Sequence, residues 1–457
     1  MSVEAPASAR VERESIAAYP GTQARRIAVA RVDVLIIILI FVFAMVPRVA
    51  WAAYTDRPPQ GLNDPSLYVL LGDIMANGDG YSRPTGEPFA YYPVGFPATV
   101  AGLKKAGDIL GWDRSIMSIK LMNATFGALT VVLVYGIAAR LFDRRVGVAS
   151  AGLLAVFPSQ VYYSGSILSE PLFTLLFMAA LLALLWDPWK REGLPLPRLA
   201  AAGLLLGAAT MTRGITLVFP LLLLAFWLFT LDSKRRALQH ALLLFAGIAV
   251  FVVPWSVRNS VQFGTIVGPS TNLGDDACIG NFDGATGAFL LHGKCFEGYE
   301  GLAPQDVEVH RNRDGLRIAV EDVVTDPFRM PGLVAKKAYW LLYKDDDGLF
   351  AIESYGNDYF IGNYRREVLA FAANAVYYAT GFIVLAGAAA FALSKDLRRA
   401  FVLAAMVYLL AVPLAFFGDP RFHFPAIPLA VIIAAATAIM IWDRHRFRRL
   451  PGIEAIR

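Results

Sequence analysis

The sequence predicts an all-α polytopic membrane protein with about ten transmembrane helices. Of its 457 residues, 56% are hydrophobic and only 17% are charged, and the mean hydropathy is +0.51. The apolar residues come in long runs, a composition that excludes an ordinary soluble enzyme. The net charge of +5 comes from short basic clusters between those runs. Because these clusters do not build a continuous basic face, we expect no nucleic-acid partner.

Hydrophobic runs place the predicted spans along most of the chain. The stretch 199–231 is too long for one span, because as a single helix it would measure roughly 50 Å against a hydrocarbon core of about 30 Å. Arg213 and Gly214 interrupt this stretch, so we divide it into two short spans. The predicted spans are 33–54, 116–139, 146–163, 171–187, 199–212, 214–231, 237–255, 366–393, 400–417 and 424–442.

The basic clusters define the predicted topology. With the N-terminus in the cytoplasm, the basic loops near residues 140–145, 190–198, 234–236 and 395–399 all fall on the cytoplasmic side, as the positive-inside rule requires. Treating 199–231 as one span would place the later basic loops outside. The charge pattern therefore supports the division at Arg213.

This topology divides the chain into segments of different character. The N-terminal tail is polar and is predicted to be mostly disordered. We do not expect it to be a cleavable signal, because the apolar run that follows it is long enough to span. The predicted segments are a cytoplasmic tail at 1–32, an N-terminal transmembrane module at 33–255 with an extracytoplasmic loop at 55–115, a small extracytoplasmic insert at 256–365, C-terminal spans at 366–442 and a basic cytoplasmic tail at 443–457.

The insert is predicted to be a folded unit, because its apolar residues are spaced along it. A helical pattern runs from about Pro304 to Thr325. Cys278 and Cys295 also lie in this segment. Outside the cytoplasm they are candidates for a disulfide. Two unpaired thiols are the alternative, because spacing alone does not set the Cα separation.

A short helix is predicted to begin at Asp64, directly after the first span. Apolar residues recur at helical spacing over residues 67–75, and Gly78 ends the pattern. This describes an amphipathic helix in the outer interface. Asp64 is the expected N-cap, with Pro65 at the first helical position. Asp64 is therefore either a cap alone or a catalytic carboxylate held close to the membrane as well.

Aromatic residues flank this helix and lead to the second span. Tyr91 and Tyr92 stand before Pro93 and Pro97, which stiffen the backbone. One interpretation is an aromatic belt at the membrane interface. The other is an aromatic wall, with hydroxyl groups that face a sugar or a phosphate.

Glu170 is predicted to start the fourth span on the outer side. The sequence Ser169-Glu170-Pro171 is typical of a helix start, with Ser at the cap and an acid in the first turn. Glu170 also shares the outer face with Asp64 in the predicted topology. It is therefore a second candidate carboxylate.

Four cationic or imidazole side chains are predicted near the same face. Arg48 lies inside the first span, Arg213 lies at a tight outer turn, and Arg421 and His423 lie in the last outer turn. Each of them alone is compatible with interface anchoring. Together they fit a phosphate site, because cations stabilise the charge of a phosphate leaving group.

The histidines and cysteines are scattered and predict no zinc site. Two acidic turns, around Asp275–Asp276 and Asp345–Asp347, are chemically suited to a divalent cation. We expect such turns to face solvent instead. No metal ligand is therefore assigned, although a divalent cation is not excluded.

The order and common side of these motifs resemble the GT-C integral-membrane glycosyltransferases. The nearest branch is the glycosyltransferase 39 and ArnT-like group, which includes the protein O-mannosyltransferases and the aminoarabinose transferase of lipid A. Asn63 stands where a second acid is usual, and Tyr92 replaces the lysine of the aminoarabinose transferases. The motifs that carry the resemblance are Asn63-Asp64-Pro-Ser-Leu-Tyr68, Gly80-Tyr81, Tyr92-Pro93-Val-Gly-Phe-Pro97, Ser169-Glu170-Pro-Leu-Phe173, Gly203-Leu-Leu-Leu-Gly207 with Thr212-Arg213, and Asp419-Pro-Arg421-Phe-His-Phe-Pro425.

The resemblance implies transfer of a sugar, with inversion, from a polyprenyl-phosphate carrier to a hydroxyl of an envelope glycolipid, glycan or protein. It implies a multi-pass protein of the inner (plasma) membrane with an extracytoplasmic active site and no cofactor. Asp64 would act as general base and Glu170 would orient the acceptor or share that role. The implied substrate-binding residues are Arg48, Tyr68, Tyr91, Tyr92, Arg213, Arg421 and His423.

Two alternatives remain at this point. One is a transporter or flippase of polyprenyl-linked sugars, which would be expected to carry polar groups at the membrane midplane. The other is a polymerase or ligase of the same fold that uses a diphosphate-linked donor.

Overall fold

The computed structural model describes residues 20–112 and 115–448, with side chains described from Asp33 to Arg444. Within this part of the chain the secondary structure is helical, apart from two isolated β-bridges. The predicted all-α class is confirmed. The helices are α1 Pro20–Tyr54, α2 Asp64–Asn77, α3 Gly95–Leu110, α4 Ile116–Leu141, α5 Arg144–Ala155, α6 Pro158–Tyr162, α7 Glu170–Leu185, α8 Leu196–Thr210, α9 Phe219–Thr230, α10 Lys234–Phe263, α11 Leu273–Asn281, α12 Gly293–Phe296, α13 Pro304–Thr325, α14 Met330–Leu342, α15 Asp347–Ile352, α16 Asn363–Ala392, α17 Leu397–Ala411 and α18 Ile427–Arg448.

The two predicted tails are only partly represented. Residues 1–19 and 449–457 lie outside the described residues, so the predicted disorder of the first tail is not addressed there. Helix α1 begins at Pro20, so the structure assigns helix to the end of the predicted N-terminal tail.

Six helices of the described chain are long and apolar enough to cross a membrane. A bent pair, Arg144–Ala155 with Pro158–Gly165, forms at most one more span and turns by 59° at its break. Three further apolar helices, α7, α8 and the segment Gly214–Thr230, are shorter than the roughly 20 residues that a bilayer requires. The multi-pass character is confirmed, but the predicted count of ten spans is not.

The predicted interruption at Arg213 is present. Helix α8 ends at Thr210, Arg213 is extended with φ −151° and ψ 125°, and a 3₁₀ turn follows at Gly214–Thr216. Helix α8 then packs closely against α10, where a Cβ added to Gly247 would lie 2.4 Å from the Gly203 carbonyl carbon. Such close contact between small residues is typical of helix packing in membranes.

Arg48 stabilises the break between α5 and α6. Its guanidinium is fully buried and donates to the Ala155 carbonyl at 2.8 Å, the Leu154 carbonyl at 3.3 Å and the Ala44 carbonyl at 2.9 Å. Carbonyl groups at the end of a helix lack intrahelical partners, and leaving them unpaired in an apolar environment is costly. The structure therefore does not support the assignment of Arg48 to the phosphate site.

The segment between α10 and α16 is built of helices. Helix α10 extends to Phe263, so this segment begins later than the predicted boundary at residue 256. The predicted helix from Pro304 to Thr325 is present as α13. Cys278 and Cys295 form a buried disulfide with a Cα–Cα distance of 5.9 Å, which links α11 to α12.

Glu308 of α13 connects this segment to the loop between α2 and α3. Its buried carboxylate accepts hydrogen bonds from the Ala90 amide at 2.8 Å, the Thr271 hydroxyl at 2.7 Å and the Arg83 guanidinium at 2.7 Å. Hydrogen bonds to a charged acceptor are among the stronger ones in proteins. The backbone just before Tyr91 and Tyr92 is therefore held in place by the insert.

We expect Arg48→Met to destabilise the fold, because it leaves the carbonyls at the α5–α6 break without a donor. An unsatisfied buried polar group costs roughly 1–3 kcal/mol. The thermal-unfolding midpoint of the detergent-purified protein measures the effect. Arg57→Met is the matched control, because the side chain of Arg57 is 50% exposed and pairs at the surface with Asp358. Equal midpoints for the two variants would contradict the structural role of Arg48.

Candidate active site

Four segments that are distant in sequence meet at one end of the helix bundle. They are the first residues of α2 and α7, the extended residue after α8 and the 3₁₀ turn Pro420–Ala426. They bring together Asp64, Glu170, Arg213 and Arg421, which we call the charge cluster. Both carboxylates lie at a helix N-terminus, where the helix dipole favours a negative charge.

The N-cap of α2 is Asn63 and not Asp64, so the predicted capping role of Asp64 is wrong. The Asn63 side chain accepts a hydrogen bond from the Ser66 amide at 3.3 Å. Asp64 is the first helical residue, and its carboxylate is therefore available for other partners.

Arg421 lies at the centre of the charge cluster. Its Nη1 donates to Asp64 Oδ2 at 2.5 Å, and its Nε donates to Glu170 Oε1. The backbone amide of Arg421 donates to the Asp419 carboxylate at 2.9 Å, which fixes the start of the turn. One guanidinium therefore joins the two candidate carboxylates.

Arg213 completes the charge cluster from the other side of Glu170. Its Nη1 donates to the same Oε1 that accepts from Arg421. Glu170 is fully buried, whereas the Arg213 side chain is 22% exposed. Glu170 Oε2 is buried and finds no hydrogen-bond partner in the described chain. The charge cluster thus balances two acids with two cations. Among the described residues, Glu170 Oε2 is left without a hydrogen-bond donor.

Asp64 is held in its ionised form. Burial alone would raise the pKa of Asp64, but the charge of Arg421 and the hydrogen bonds from Tyr92 and Arg421 outweigh it and hold the pKa below its ordinary value. The Tyr92 hydroxyl donates to Asp64 Oδ1 at 2.6 Å. Burial and the charge of Asp64 raise the pKa of Tyr92 above its ordinary value, so Tyr92 remains a donor at neutral pH.

Tyr68 and Tyr91 both pack against Tyr92. The Tyr68 ring lies 5.1 Å from the Tyr92 ring, and the Tyr91 ring lies 5.0 Å from it in an edge-to-face arrangement. Burial and then the charge of Asp275 raise the pKa of Tyr91 above its ordinary value. Tyr68 is therefore part of the wall behind Asp64, and Tyr91 contacts the insert.

His423 does not join the charge cluster, contrary to prediction. Its buried ring contacts Asp345 Oδ1 at 2.8 Å through Nε2 and the Leu341 carbonyl at 2.7 Å through Nδ1. The Tyr377 ring stacks on it at 4.9 Å. His423 therefore joins the insert to the last span, and its ring nitrogens are occupied by those partners.

The predicted exposure of the two acidic turns is also wrong. Asp275 is buried against Arg311, and Asp347 is buried and accepts a hydrogen bond from Tyr163 at 3.2 Å. Burial is the main cause that raises the pKa of Asp276 to about 7 and that of Asp347 to about 7. Within residues 20–112 and 115–448, no group of three or more His, Cys, Asp or Glu side chains is arranged for a metal ion.

Tyr355 is a neighbour of the charge cluster that the sequence did not reveal. Its hydroxyl lies 3.3 Å from Arg421 Nη1. Ser354 and Tyr355 both have positive φ values, 53° and 55°, a conformation that costs energy for residues other than glycine. The buried Glu353 carboxylate accepts from the Phe360 and Ile361 amides and holds this loop. No periodic pattern or motif marks such a loop in a single sequence.

Comparisons with known proteins support the observed fold. A family model described as dolichyl-phosphate-mannose-protein mannosyltransferase matches residues 108–257, a range that includes Glu170 and Arg213. No curated protein sequence matches the chain.

Solved structures are similar over a larger part of the chain than the family model. The oligosaccharyltransferase AglB from Archaeoglobus fulgidus, in complex with an inhibitory peptide and a dolichol-phosphate, is 16% identical with a TM-score of 0.54, over 93% of this chain and 52% of that chain. A crystal structure of an Archaeoglobus fulgidus oligosaccharyltransferase in complex with Zn and sulfate is 16% identical with a TM-score of 0.53, over 90% of this chain and 50% of that chain. ArnT from Cupriavidus metallidurans bound to undecaprenyl phosphate is 14% identical with a TM-score of 0.39, over 93% and 82%.

The chain therefore has the fold of the GT-C integral-membrane glycosyltransferases, and the resemblance found in the sequence is confirmed. It spans about half the length of the archaeal oligosaccharyltransferase chains that it matches. The likeness at this level of identity defines the fold. The chemistry has to be argued from the charge cluster itself.

We expect Arg421→Gln to destabilise the protein at neutral pH by roughly 3 kcal/mol, because it removes the cation bound to the partly buried Asp64 and leaves the buried Glu170 with Arg213 alone. Without Arg421, burial raises the pKa of Asp64 above its ordinary value of about 4. Acidification then protonates Asp64 in the folded variant, so the difference in stability between variant and wild type shrinks as the pH falls from 7 towards 5.

Thermal-unfolding midpoints measured from pH 5 to pH 7.5 for the wild type, Arg421→Gln and Arg57→Gln test this prediction. The surface variant provides the control for loss of one positive charge. A midpoint difference that stays constant with pH would contradict the claim that Arg421 controls the ionisation of Asp64.

Proposed function

We propose that this protein is an inverting glycosyltransferase that moves a sugar from a polyprenyl-phosphate carrier to a hydroxyl group. The observation that carries the proposal is the charge cluster, in which Arg421 binds Asp64 and Glu170 together at one end of a membrane helix bundle. The reaction requires a base for the acceptor hydroxyl and a cationic site for the leaving phosphate, and the charge cluster contains both kinds of group.

Arg213 and Arg421 are suited to the phosphate of the donor. Both guanidinium groups already bind carboxylate oxygens, and a phosphate offers the same acceptor chemistry with more charge. The Arg213 side chain is partly exposed, so a ligand can approach it. In support, the archaeal relative was solved in complex with a dolichol-phosphate.

Phosphate binding would also prepare Asp64 to act as a base. In the ligand-free protein Arg421 lowers the pKa of Asp64, which makes the carboxylate a weak proton acceptor. A phosphate that attracts Arg421 reduces this effect and moves the pKa of Asp64 upward, closer to the range that favours proton transfer. The base would therefore become effective when the donor is in place.

The proposed reaction is a single displacement. The acceptor oxygen forms a bond to the anomeric carbon of the donor sugar while its proton passes to Asp64. The bond between the anomeric carbon and the phosphate oxygen breaks, and the electron pair leaves with the polyprenyl phosphate. Arg213 and Arg421 stabilise the charge that develops on the phosphate.

Glu170 is proposed to orient a substrate hydroxyl. Its Oε1 is used by the two arginines, and its buried Oε2 has no partner among the described residues. A buried acceptor without a donor is costly, so a hydroxyl group that donates to Oε2 would bind favourably. Tyr92 is proposed to keep Asp64 in position through its short hydrogen bond.

We propose that the protein lies in the inner membrane with the charge cluster on the extracytoplasmic side. The short basic loops at residues 140–145, 234–236 and 395–399 support the orientation. The acceptor would be a hydroxyl of an envelope glycolipid, a glycan or a protein. The two arginines supply positive charge at the leaving group, so we propose transfer without a cofactor.

We expect Asp64→Asn to lower kcat by at least about 100-fold, because the variant cannot take up the acceptor proton. Transfer by the purified protein in liposomes, with a polyprenyl-phosphate sugar as donor, is the measurement. Asp73→Asn is the control, since Asp73 is on the same helix and pairs with Lys104 away from the charge cluster. Wild-type turnover by Asp64→Asn would contradict its role as the base.

The spent carrier is expected to be a polyprenyl monophosphate. Mass spectrometry of the lipid fraction after turnover distinguishes this product from a diphosphate. Recovery of the diphosphate would contradict the proposed donor and indicate a polymerase or ligase. Lipid translocation without any change in the sugar linkage would indicate a transporter.

A further inference from the structure

A buried histidine–carboxylate pair joins the insert to the turn that carries Arg421. His423 lies in the 3₁₀ turn Pro420–Ala426, two residues after Arg421, and Asp345 lies between α14 and α15. Both side chains are buried, and His423 Nε2 lies 2.8 Å from Asp345 Oδ1. His423 Nδ1 lies 2.7 Å from the carbonyl oxygen of Leu341 in α14. Both nitrogens of one imidazole ring therefore bind the insert.

These contacts define how many protons the pair holds. A carbonyl oxygen only accepts hydrogen bonds, so His423 Nδ1 carries a proton that it donates to Leu341. The contact between Nε2 and Asp345 Oδ1 then requires a second proton, because an imidazole lone pair and a carboxylate oxygen would repel each other. That proton belongs to an imidazolium or to a carboxylic acid, and the pair is neutral as a whole in both cases. The folded pair therefore holds one proton more than a neutral histidine and an ionised aspartate.

The surroundings of Asp345 favour retention of this proton. Burial is the main cause that raises the pKa of Asp345 above its ordinary value. The second carboxylate oxygen, Oδ2, is buried and receives no hydrogen bond from the described residues. A buried carboxylate that is fully ionised and lacks such donors is costly, so a proton shared with His423 reduces that cost.

The other titratable groups near the pair add mainly negative charge. Each additional carboxylate disfavours loss of the shared proton, because that loss leaves one more negative charge beside it. One cation, Lys344, lies close by and pairs with Asp346 at 3.0 Å. The groups that face the pair are Asp346 and Asp347 from the start of α15, Asp419 from the turn itself, Tyr162 from α6 and Tyr377 from α16.

The pair lies between two other restraints on the turn. The Asp419 carboxylate accepts a hydrogen bond from the Arg421 amide at 2.9 Å, and Gln160 Nε2 donates to the Phe424 carbonyl at 3.2 Å. His423 ties the backbone between these two points to the insert. Without the shared proton, a lone pair would face a negative oxygen here, and the turn would have to shift to separate them. The position of Arg421 therefore depends on that proton.

We propose that His423 and Asp345 are a positioning pair, which shares one proton and thereby holds the Arg421 guanidinium in the charge cluster. Loss of the shared proton in alkaline solution releases the turn and weakens the site for the donor phosphate. This effect on the donor rests on the proposed function. The proton content of the pair and its contribution to stability do not.

The contribution of the pair to stability is expected to fall as the pH rises. In the unfolded chain, histidine has a pKa of about 6.5 and aspartate a pKa of about 4, so neither holds the extra proton above pH 7. The folded pair holds one. Its stabilisation is therefore fully present below about pH 6.5 and is lost as the pH rises towards the pKa of the folded pair.

Asp345→Asn tests the shared proton, because an asparagine amide can donate to Nε2 of a neutral histidine and needs no extra proton. Thermal-unfolding midpoints of the full chain in detergent, from pH 7.5 to pH 9.5, are the measurement. This range lies above the pKa of Asp347, which is about 7. We expect the midpoint of the wild type to fall relative to that of Asp345→Asn by about 2 °C or more.

Two further variants support this comparison. Asp346→Asn is the control, since it removes a neighbouring carboxylate and leaves the pair intact; we expect it to show the same fall as the wild type. His423→Gln replaces the imidazole with an amide that donates to Asp345 and does not titrate. It provides the comparison with the wild type if Asp345→Asn fails to fold.

Binding of undecaprenyl phosphate tests the link to Arg421. We expect the wild type to bind this lipid about tenfold more weakly at pH 9.5 than at pH 7.5, because a charge-assisted contact is lost when the turn shifts. Asp345→Asn is expected to bind it with the same affinity at both pH values. A residue that only supported the fold would not produce this difference between the two proteins.

Equal pH dependence of the midpoints of the wild type, Asp345→Asn and His423→Gln would overturn the proposal. A wild type that loses stability at alkaline pH but keeps its affinity for undecaprenyl phosphate would overturn the positioning of Arg421. Absence of undecaprenyl phosphate binding at both pH values would refute the proposed function instead, and the midpoints would still decide whether the pair shares a proton.

Discussion

The ion pairs of Arg421 with Asp64 and Glu170 are the interaction on which this structure depends. Two carboxylates at the end of an apolar bundle are tolerated because Arg421, together with Arg213, balances their charge. Their positions come from segments as far apart as residues 64 and 421, so the whole helix bundle is needed to bring them together. The same contacts give the charge cluster its chemistry, since they pair a base with a cation that a phosphate can attract.

Several other contacts hold the residues around these ion pairs in position. Asn63 caps α2 and leaves the Asp64 carboxylate available, and Asp419 fixes the turn that carries Arg421. Glu308 holds the loop that presents Tyr92, and His423 with Asp345 holds the insert against the last span. Asn63, Asp419 and His423 adjoin members of the charge cluster, and Glu308 restrains the loop of Tyr92, which binds Asp64. The insert is therefore part of the machinery that positions the site.

The sequence predicted the features that depend on local pattern and composition. The all-α class, the interruption at Arg213 and the helix at Pro304–Thr325 follow from hydrophobic runs and periodicity. Asp64, Glu170, Arg213 and Arg421 were predicted on one face from charge parity, and the structure brings them into contact. Arg48 and His423 were misplaced, because a buried cation or imidazole can be satisfied equally well by backbone carbonyls or a distant acid. Tyr355 was missed because nothing in a single sequence marks a left-handed loop.

Binding of undecaprenyl phosphate to the wild type, Asp64→Asn and Arg421→Gln is the measurement that tests the central claim most directly. If Arg421 is shared between Asp64 and the donor phosphate, removing the Asp64 charge frees the guanidinium and Asp64→Asn binds the lipid more tightly than the wild type. Arg421→Gln binds it at least about tenfold more weakly, since a charge-assisted contact is lost. Equal affinities of the three proteins for undecaprenyl phosphate would contradict the account.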